Sequence, residues 1–312
     1  MVSMSSLKDK GVLIMDIRVL QYFLAVAQEG SITKAAASLH MTQTPLSRQL
    51  KELETEVGKV LFIRGNKNIV LTEEGKLLQK RAEQILCLVE KTKNELSAPD
   101  TEIAGGIFFD VCETEGMSAL EKTLRRLHKK HPSVFYHILS GSRQRVLDKL
   151  NIGLVDFGLV VDHADTDKCD SLLLPYRDSW GVVLRSDDPL AFQSVIKRED
   201  ILNKPLILSN QASGNKALMN WLQTDISNLN VVIRYDMMAN AGQFVRNGFG
   251  YAISINRLIN LREDRDLCFR PLEPELETDV YLIWKKNQGL SRAASAFLEL
   301  LKEDLETDGS GQ

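Results

Sequence analysis

Thr44, Ser47, Arg48 and Lys51 fall at i, i+3, i+4 and i+7, so a helix would gather them on one face. Gln43 stands at the start of the same run, and no Asp or Glu occurs anywhere in residues 31–51. A face of amides, hydroxyls and cations without carboxylates suits phosphate oxygens and base edges. The other side of this helix carries Leu46, Leu50, Leu53 and Val57 and is expected to be buried. An ordinary solvated helix surface could show the same polar residues, so the flanking elements have to decide.

Other chemistries find little support. The five histidines (His40, His128, His131, His137 and His163) show no metal-ligand spacing beyond the loose pair His128 and His131. The four cysteines (Cys87, Cys112, Cys169 and Cys268) are spaced like free thiols of a reducing cytoplasm, with a redox sensor as the minor alternative. No G-x-S-x-G, P-loop or H-E-x-x-H motif is present. No enzyme, cofactor or metal is therefore expected. No apolar run approaches the roughly 18 residues that span a bilayer, and the start of the chain lacks a cleavable signal, so no membrane role is expected. The 312 residues carry a net charge of −3, spread unevenly: residues 15–98 are net +2 and residues 99–312 net −6.

The elements that would position the polar helix are legible. Asp16 to Glu29 reads as a helix ended by Gly30, and Ser31 or Thr33 caps a second with Ile32, Ala35, Ala36 and Leu39 on its buried side. The small pair Ala35–Ala36 allows close crossing, as a helix-turn-helix needs. With Thr42 as N-cap, Pro45 is the third helical residue, where no intrahelical N–H bond is lost. Beyond Gly58, two short β-prone runs flank Gly65-Asn66-Lys67-Asn68 and read as a hairpin, a wing whose Arg64 and Lys67 would meet phosphate. Thr72 then caps a helix running to about Leu96, with Leu78, Ala82, Ile85 and Val89 on one stripe long enough to need a partner such as a second copy.

Residues 15–97 resemble the DNA-binding region of LysR-type transcriptional regulators. The resemblance rests on Ser31, Ala35-Ala36, Leu39, Gln43, Ser47, Leu50, Leu53-Glu54, Gly58, Leu61-Phe62, Arg64, Leu71-Thr72 and Gly75. Pro45 departs by one place from the proline usual in that helix, with Thr44 in the usual proline position.

From Gly105 onward strands and helices alternate, which argues for parallel sheets covered by helices. NIGLVDFGLVV and VRNGFGYAISI are similar to the two most recognisable stretches of the LysR-type effector domain. The fold implied is α/β: a winged helix-turn-helix with a long linker helix, then a periplasmic-binding-protein-like effector domain of two α/β subdomains. The expected boundaries are a disordered 1–14, a DNA-binding domain at 15–72, a linker helix at 73–97 and a hinge at 98–105. The effector domain follows at 106–305, with subdomain I about 106–180 and 256–305 and subdomain II about 181–255, then a disordered tail at 306–312.

In open α/β sheets ligands lie at the carboxyl ends of strands, beside helix N-termini. That rule selects Glu113, Thr114 and Glu115, then Ser140, Gly141 and Ser142, then Asp162, and Ser209 and Asn210 from the second subdomain. Thr114 is the foremost of these. The hydroxyls suit a small carboxylate, whereas Glu113 and Glu115 would favour an amine or polyol. At the other end, Gln43, Thr44, Ser47 and Arg48 are expected to read bases. Ser31, Thr33, Lys34, Thr42, Lys51, Arg64 and Lys67 are expected to hold the duplex, mostly at phosphates. The resemblance implies as partners double-stranded DNA, a small-molecule effector, a second copy through the linker helix, a tetramer, and RNA polymerase. The competing class is a solute-binding or catalytic protein in which residues 15–97 only dimerise.

Overall fold

The computed structural model describes residues 15–65, 69–97, 102–162, 168–258, 261, 264–287 and 289–309. The chain forms two compact units, Met1–Leu96 and Ser97–Gln312. The expectations for residues 1–14, for Lys67, for 98–101 of the hinge and for 310–312 of the tail lie outside the described residues.

In the first unit, local signals set each boundary. Asp16 accepts from the Arg18 N–H and opens α1 (Ile17–Glu29), which Gly30 closes at φ 60°. Ser31, not Thr33, caps α2 (Ile32–Ser38) through the Lys34 N–H. Thr42 precedes α3 (Gln43–Val57), so Pro45 is its third residue, and Gly58 at φ 66° ends it. The wing is β1 (Phe62–Arg64) antiparallel to β2 (Ile69–Leu71), with Phe62 opposite Leu71. Glu54 of α3 fixes the wing's root: its Oε1 accepts from the N–H groups of Leu61 at 2.8 Å and Phe62 at 3.2 Å. The far strand is tied back by the Ile69 N–H donating to Gly30 O at 2.9 Å.

Thr72 donates to Val60 O and accepts from the Gly75 N–H, opening α4 (Glu73–Ser97). At Gly75 a side chain is impossible, since a Cβ would stand 2.2 Å from the carbonyl oxygen of Leu61. Leu20, Phe23, Val26, Ala35, Leu46, Leu50, Leu53, Phe62 and Ala82 form one shared core under α1 to α4.

The second unit runs β3 (Gly105–Val111), a 3-10 turn at Glu115–Met117, α5 (Ser118–Lys130), β4 (Val134–Ser140), α6 (Arg143–Asn151), β5 (Phe157–Val161) and β6 (Cys169–Arg185). It continues with β7 (Ile196–Lys197), α7 (Arg198–Ile201), β8 (Leu206–Ser209), α8 (Lys216–Leu222), β9 (Val231–Tyr235), α9 (Met238–Arg246) and β10 (Tyr251–Ile255). The last elements are β11 (Leu267–Glu273), β12 (Glu277–Lys285) and α10 (Arg292–Gly309). The strand order is β4-β3-β5-β12-β6-β10-β8-β9, with β11 added against β6 and β7. The β4-β3-β5 and β10-β8-β9 groups are parallel, as the alternation predicts. Between them β12 and β6 run antiparallel to their neighbours, so the sheet is mixed.

Three expectations need correction. The second subdomain does not open on an element of its own at about residue 181: β6 is continuous from Cys169, pairing with β12 up to Ser179 and then with β10 from Trp180 and β11 from Gly181. Residues 256–273 do not return to subdomain I. Strand β11 pairs with β6 at Leu267↔Arg185, and Leu267 and Leu272 enter the second subdomain's core, so the chain returns only at β12. The tail is helical as far as Gly309, where α10 ends, and the Thr307 hydroxyl donates back to Glu303 O at 2.7 Å.

Two cores result. One gathers Phe109, Leu120, Leu127, Phe157, Leu282, Phe297 and Leu301, the other Val182, Ile196, Leu206, Leu218, Leu222 and Ile253. The chain crosses between them at Asp178–Trp180 and Leu276–Thr278, stapled by Trp180 N–H to Leu276 O and Trp180 Nε1 to Thr278 Oγ1, both 2.8 Å.

Candidate nucleic-acid interface and ligand cleft

On α3 the buried stripe is Leu46, Leu50 and Leu53, while Gln43, Thr44, Arg48 and Lys51 are exposed and Ser47 is half-exposed. Thr42 makes no side-chain cap bond, which leaves its exposed hydroxyl at the helix's amino end beside those residues. Thr33 and Lys34 are exposed on the first turn of α2. The Ser31 hydroxyl accepts the Lys34 N–H at 3.4 Å and so holds that turn in place. Arg48 meets Glu52 at 3.5 Å, with both side chains open to solvent. Such a surface pair contributes little and yields readily to a phosphate. Arg64 closes β1, and Lys67 lies outside the described residues.

The second unit holds a cavity of about 670 Å³ between its two subdomains. Of the residues predicted from the sequence, Glu113, Ser142, Asp162, Ser209 and Asn210 line it. Thr114, Glu115, Ser140 and Gly141 are not among its walls. Thr114 is turned inward: its hydroxyl donates to Asp178 and accepts from the Gly116 N–H. Sequence reasoning did not anticipate Arg143, Trp180, Gln211, Tyr235 or Asp236 in the lining. Cys112 is both buried and a wall residue. Burial, with Asp110 beside it, pushes its thiol up to about 12, so it stays protonated.

Two bonds already cross the cleft. Glu113 Oε1 accepts from the Met238 N–H at the start of α9 at 2.6 Å, and the Arg143 N–H donates to Gln211 Oε1 at 3.1 Å. Burial raises the Glu113 carboxyl above its ordinary range; the Met238 N–H draws it back and Asp236 pushes it up. Asp162 is also raised by burial, with Arg143 opposing and Asp279 reinforcing, and its φ of 62° is unusual for a residue other than glycine.

At the crossover, burial pushes Asp178 up to about 6, against the hydrogen bonds from Thr114 and Glu115. The unfolded carboxyl titrates near 4. Between about pH 4 and 6 the folded chain therefore holds a proton that the unfolded chain has lost, and stability falls as pH rises through that window. We expect Asp178→Asn to flatten the melting temperature of the second unit between pH 4 and 6.5. An unchanged profile in scanning calorimetry would remove Asp178 from that role.

Residues 17–76 match the family described as bacterial regulatory helix-turn-helix protein, lysR family, and residues 105–306 match the LysR substrate binding domain. The HTH-type transcriptional regulator BsdA of Bacillus subtilis (strain 168) is 31% identical over 295 residues, 92% of this chain and 100% of that one. An uncharacterized HTH-type regulator, YfeR of Shigella flexneri, is 24% identical over 290 residues, 92% of this chain and 93% of that one. Among solved structures, full-length CbnR complexed with its target DNA has the same fold, with a TM-score of 0.69 at 19% identity over 93% of this chain and 99% of that one. A winged helix-turn-helix on a long helix, joined to a two-lobed α/β ligand domain, defines a DNA-binding regulator that answers to a small molecule. The chain belongs to the LysR family of transcriptional regulators. It is a regulator rather than an enzyme.

Proposed function

We propose that this protein acts as a homodimer, assembling further to a tetramer, that sets the recognition helices α3 into successive major grooves of a dyad-like promoter site. Gln43, Thr44, Ser47 and Arg48 read bases. Thr33, Lys34, Thr42, Lys51 and the wing hold phosphates, with Ser31 fixing the first turn of α2. The observation that carries this reading is the exposed face of α3 over residues 43–51, which holds no Asp or Glu, above a buried Leu46, Leu50 and Leu53 stripe. Self-association is supported by Leu77 and Ile85 standing exposed on α4. Phe135, Ile138 and Leu139 on β4, at one edge of the sheet, support it further.

The effector enters the cleft and shifts the balance between open and closed subdomains, which changes the geometry of the bound dimers. The protein needs no other cofactor. It works in the cytoplasm, where the bound assembly acts on RNA polymerase. Among the described residues no helix is long and apolar enough to cross a membrane.

Mobility shift on the DNA upstream of the protein's own gene tests this reading. Affinity is expected to fall by about 10³ between 50 and 200 mM salt, as binding through several phosphates requires. Arg48→Ala is expected to weaken specific binding about tenfold or more and to relax base preference. Binding that ignores both salt and Arg48 would remove α3 from the interface, and no DNA binding at all would assign the first unit to dimerisation alone.

A further inference from the structure

We propose that the effector is an organic amine on a compact apolar body, and that its ammonium sits between Glu113 and Asp236 and draws the subdomains together. This rests on the cleft being the effector site.

Glu113 follows β3 in the first subdomain and Asp236 follows β9 in the second, so each wall supplies one carboxylate to the same cavity. Each has one oxygen engaged: Glu113 Oε1 by the Met238 N–H at 2.6 Å, and Asp236 Oδ1 by the Asn210 amide at 2.9 Å. A carboxylate offers about four acceptor sites, so both keep capacity for a further donor. Two like charges facing each other across a half-buried cleft oppose its closure. A cation between them converts that repulsion into attraction for both walls. The bound ammonium then holds the two walls together, because the carboxylates it bridges belong to different subdomains.

The rest of the lining fits the same class. Among the described residues the walls carry the carboxylates of Glu113, Asp162 and Asp236 and one guanidinium, Arg143, whose charge is felt at Asp162. An anionic effector would enter against that excess. A metal cation is disfavoured, since no group of three or more His, Cys, Asp or Glu among the described residues could hold one. Trp180, Leu147, Ile255 and Leu258 give the apolar surface for a carbon body.

The test uses the full chain and matched probes: phenethylamine against phenylacetate, and hexylamine against hexanoate. Fragments of this size bind at roughly millimolar levels. The amines are expected to raise the melting temperature by about 2 °C or more at ~10 mM and to change the emission of Trp180, identified by its loss in Trp180→Phe. The matched acids are expected to do neither. Glu113→Gln and Asp236→Asn should each weaken amine binding about tenfold or more.

Stabilisation by the acids, with the Trp180 response, would overturn the amine class and leave the cleft as the effector site. Stabilisation by amines without a Trp180 response would place binding elsewhere and overturn both. Amine affinity unchanged in Glu113→Gln and Asp236→Asn, or no response to either series, would overturn the inference.

Discussion

Ser47→Glu is expected to lower affinity for the promoter site by about 10² to 10³ while leaving the fold intact. Ser47 sits in the middle of the exposed face of α3, flanked along that face by Thr44, Arg48 and Lys51. A carboxylate there would meet phosphate oxygens at close range. Two like charges about 4 Å apart near a protein surface repel by roughly 4 kcal/mol, before the lost hydroxyl contact is counted. Folding should be unaffected. Lys51 lies at i+4 from the new carboxylate, in the stabilising orientation. Ser47→Ala, which only deletes a hydroxyl, should cost about tenfold or less. Fluorescence anisotropy with a promoter duplex, beside circular dichroism, separates the two. Wild-type affinity in Ser47→Glu would mean that another surface faces the duplex.

The DNA-binding unit was legible in the chain because its determinants are local. Asp16, Ser31 and Thr72 are caps, Gly30 and Gly58 take left-handed conformations at helix ends, and Pro45 sits where a helix tolerates it. The apolar stripe of α3 and its polar face both follow from spacing alone. Glu54 and Gly75 stood among the resembling residues, but their reasons are tertiary: one ties the wing's root, the other lets α4 touch Leu61.

The second unit was legible where strands and helices simply alternate and illegible where the sheet changes direction. The first half of β6 contains Pro175 and β11 contains Pro271, and a proline argues against a central strand. The structure accommodates Pro175 where the β6–β12 register shifts, opposite the step between Asp279 and Tyr281. The cleft was legible only from one side of each strand end. Ser142, Asp162, Ser209 and Asn210 follow from the rule about carboxyl ends, and all four reach the cavity. Thr114 obeys the same rule yet points away, because Asp178, 64 residues later, takes its hydroxyl. Trp180 and Gln211 reach the walls through contacts that no local pattern encodes.

Asp304→Ala is expected to destabilise the second unit by about 2–3 kcal/mol and to lower its melting temperature by about 5–10 °C. Asp304 lies on α10 and is 3% exposed. Both of its oxygens are used by α5: Thr123 donates to Oδ2 at 2.5 Å, and the Arg126 guanidinium pairs with Oδ1. These bonds fasten the last helix of the chain over Leu120, Leu127, Phe297 and Leu301 of the first subdomain's core. Truncation leaves the buried Thr123 hydroxyl without its acceptor and Arg126 without its counter-charge. The cost stays below the 3–5 kcal/mol typical of a fully buried broken pair, because the Arg126 side chain is 47% exposed and can turn to water. Asp304→Asn keeps an acceptor for Thr123 and should lose about half as much. Denaturant unfolding of the two variants decides the matter: a loss below about 1 kcal/mol for Asp304→Ala would mean that apolar packing alone holds α10 to α5.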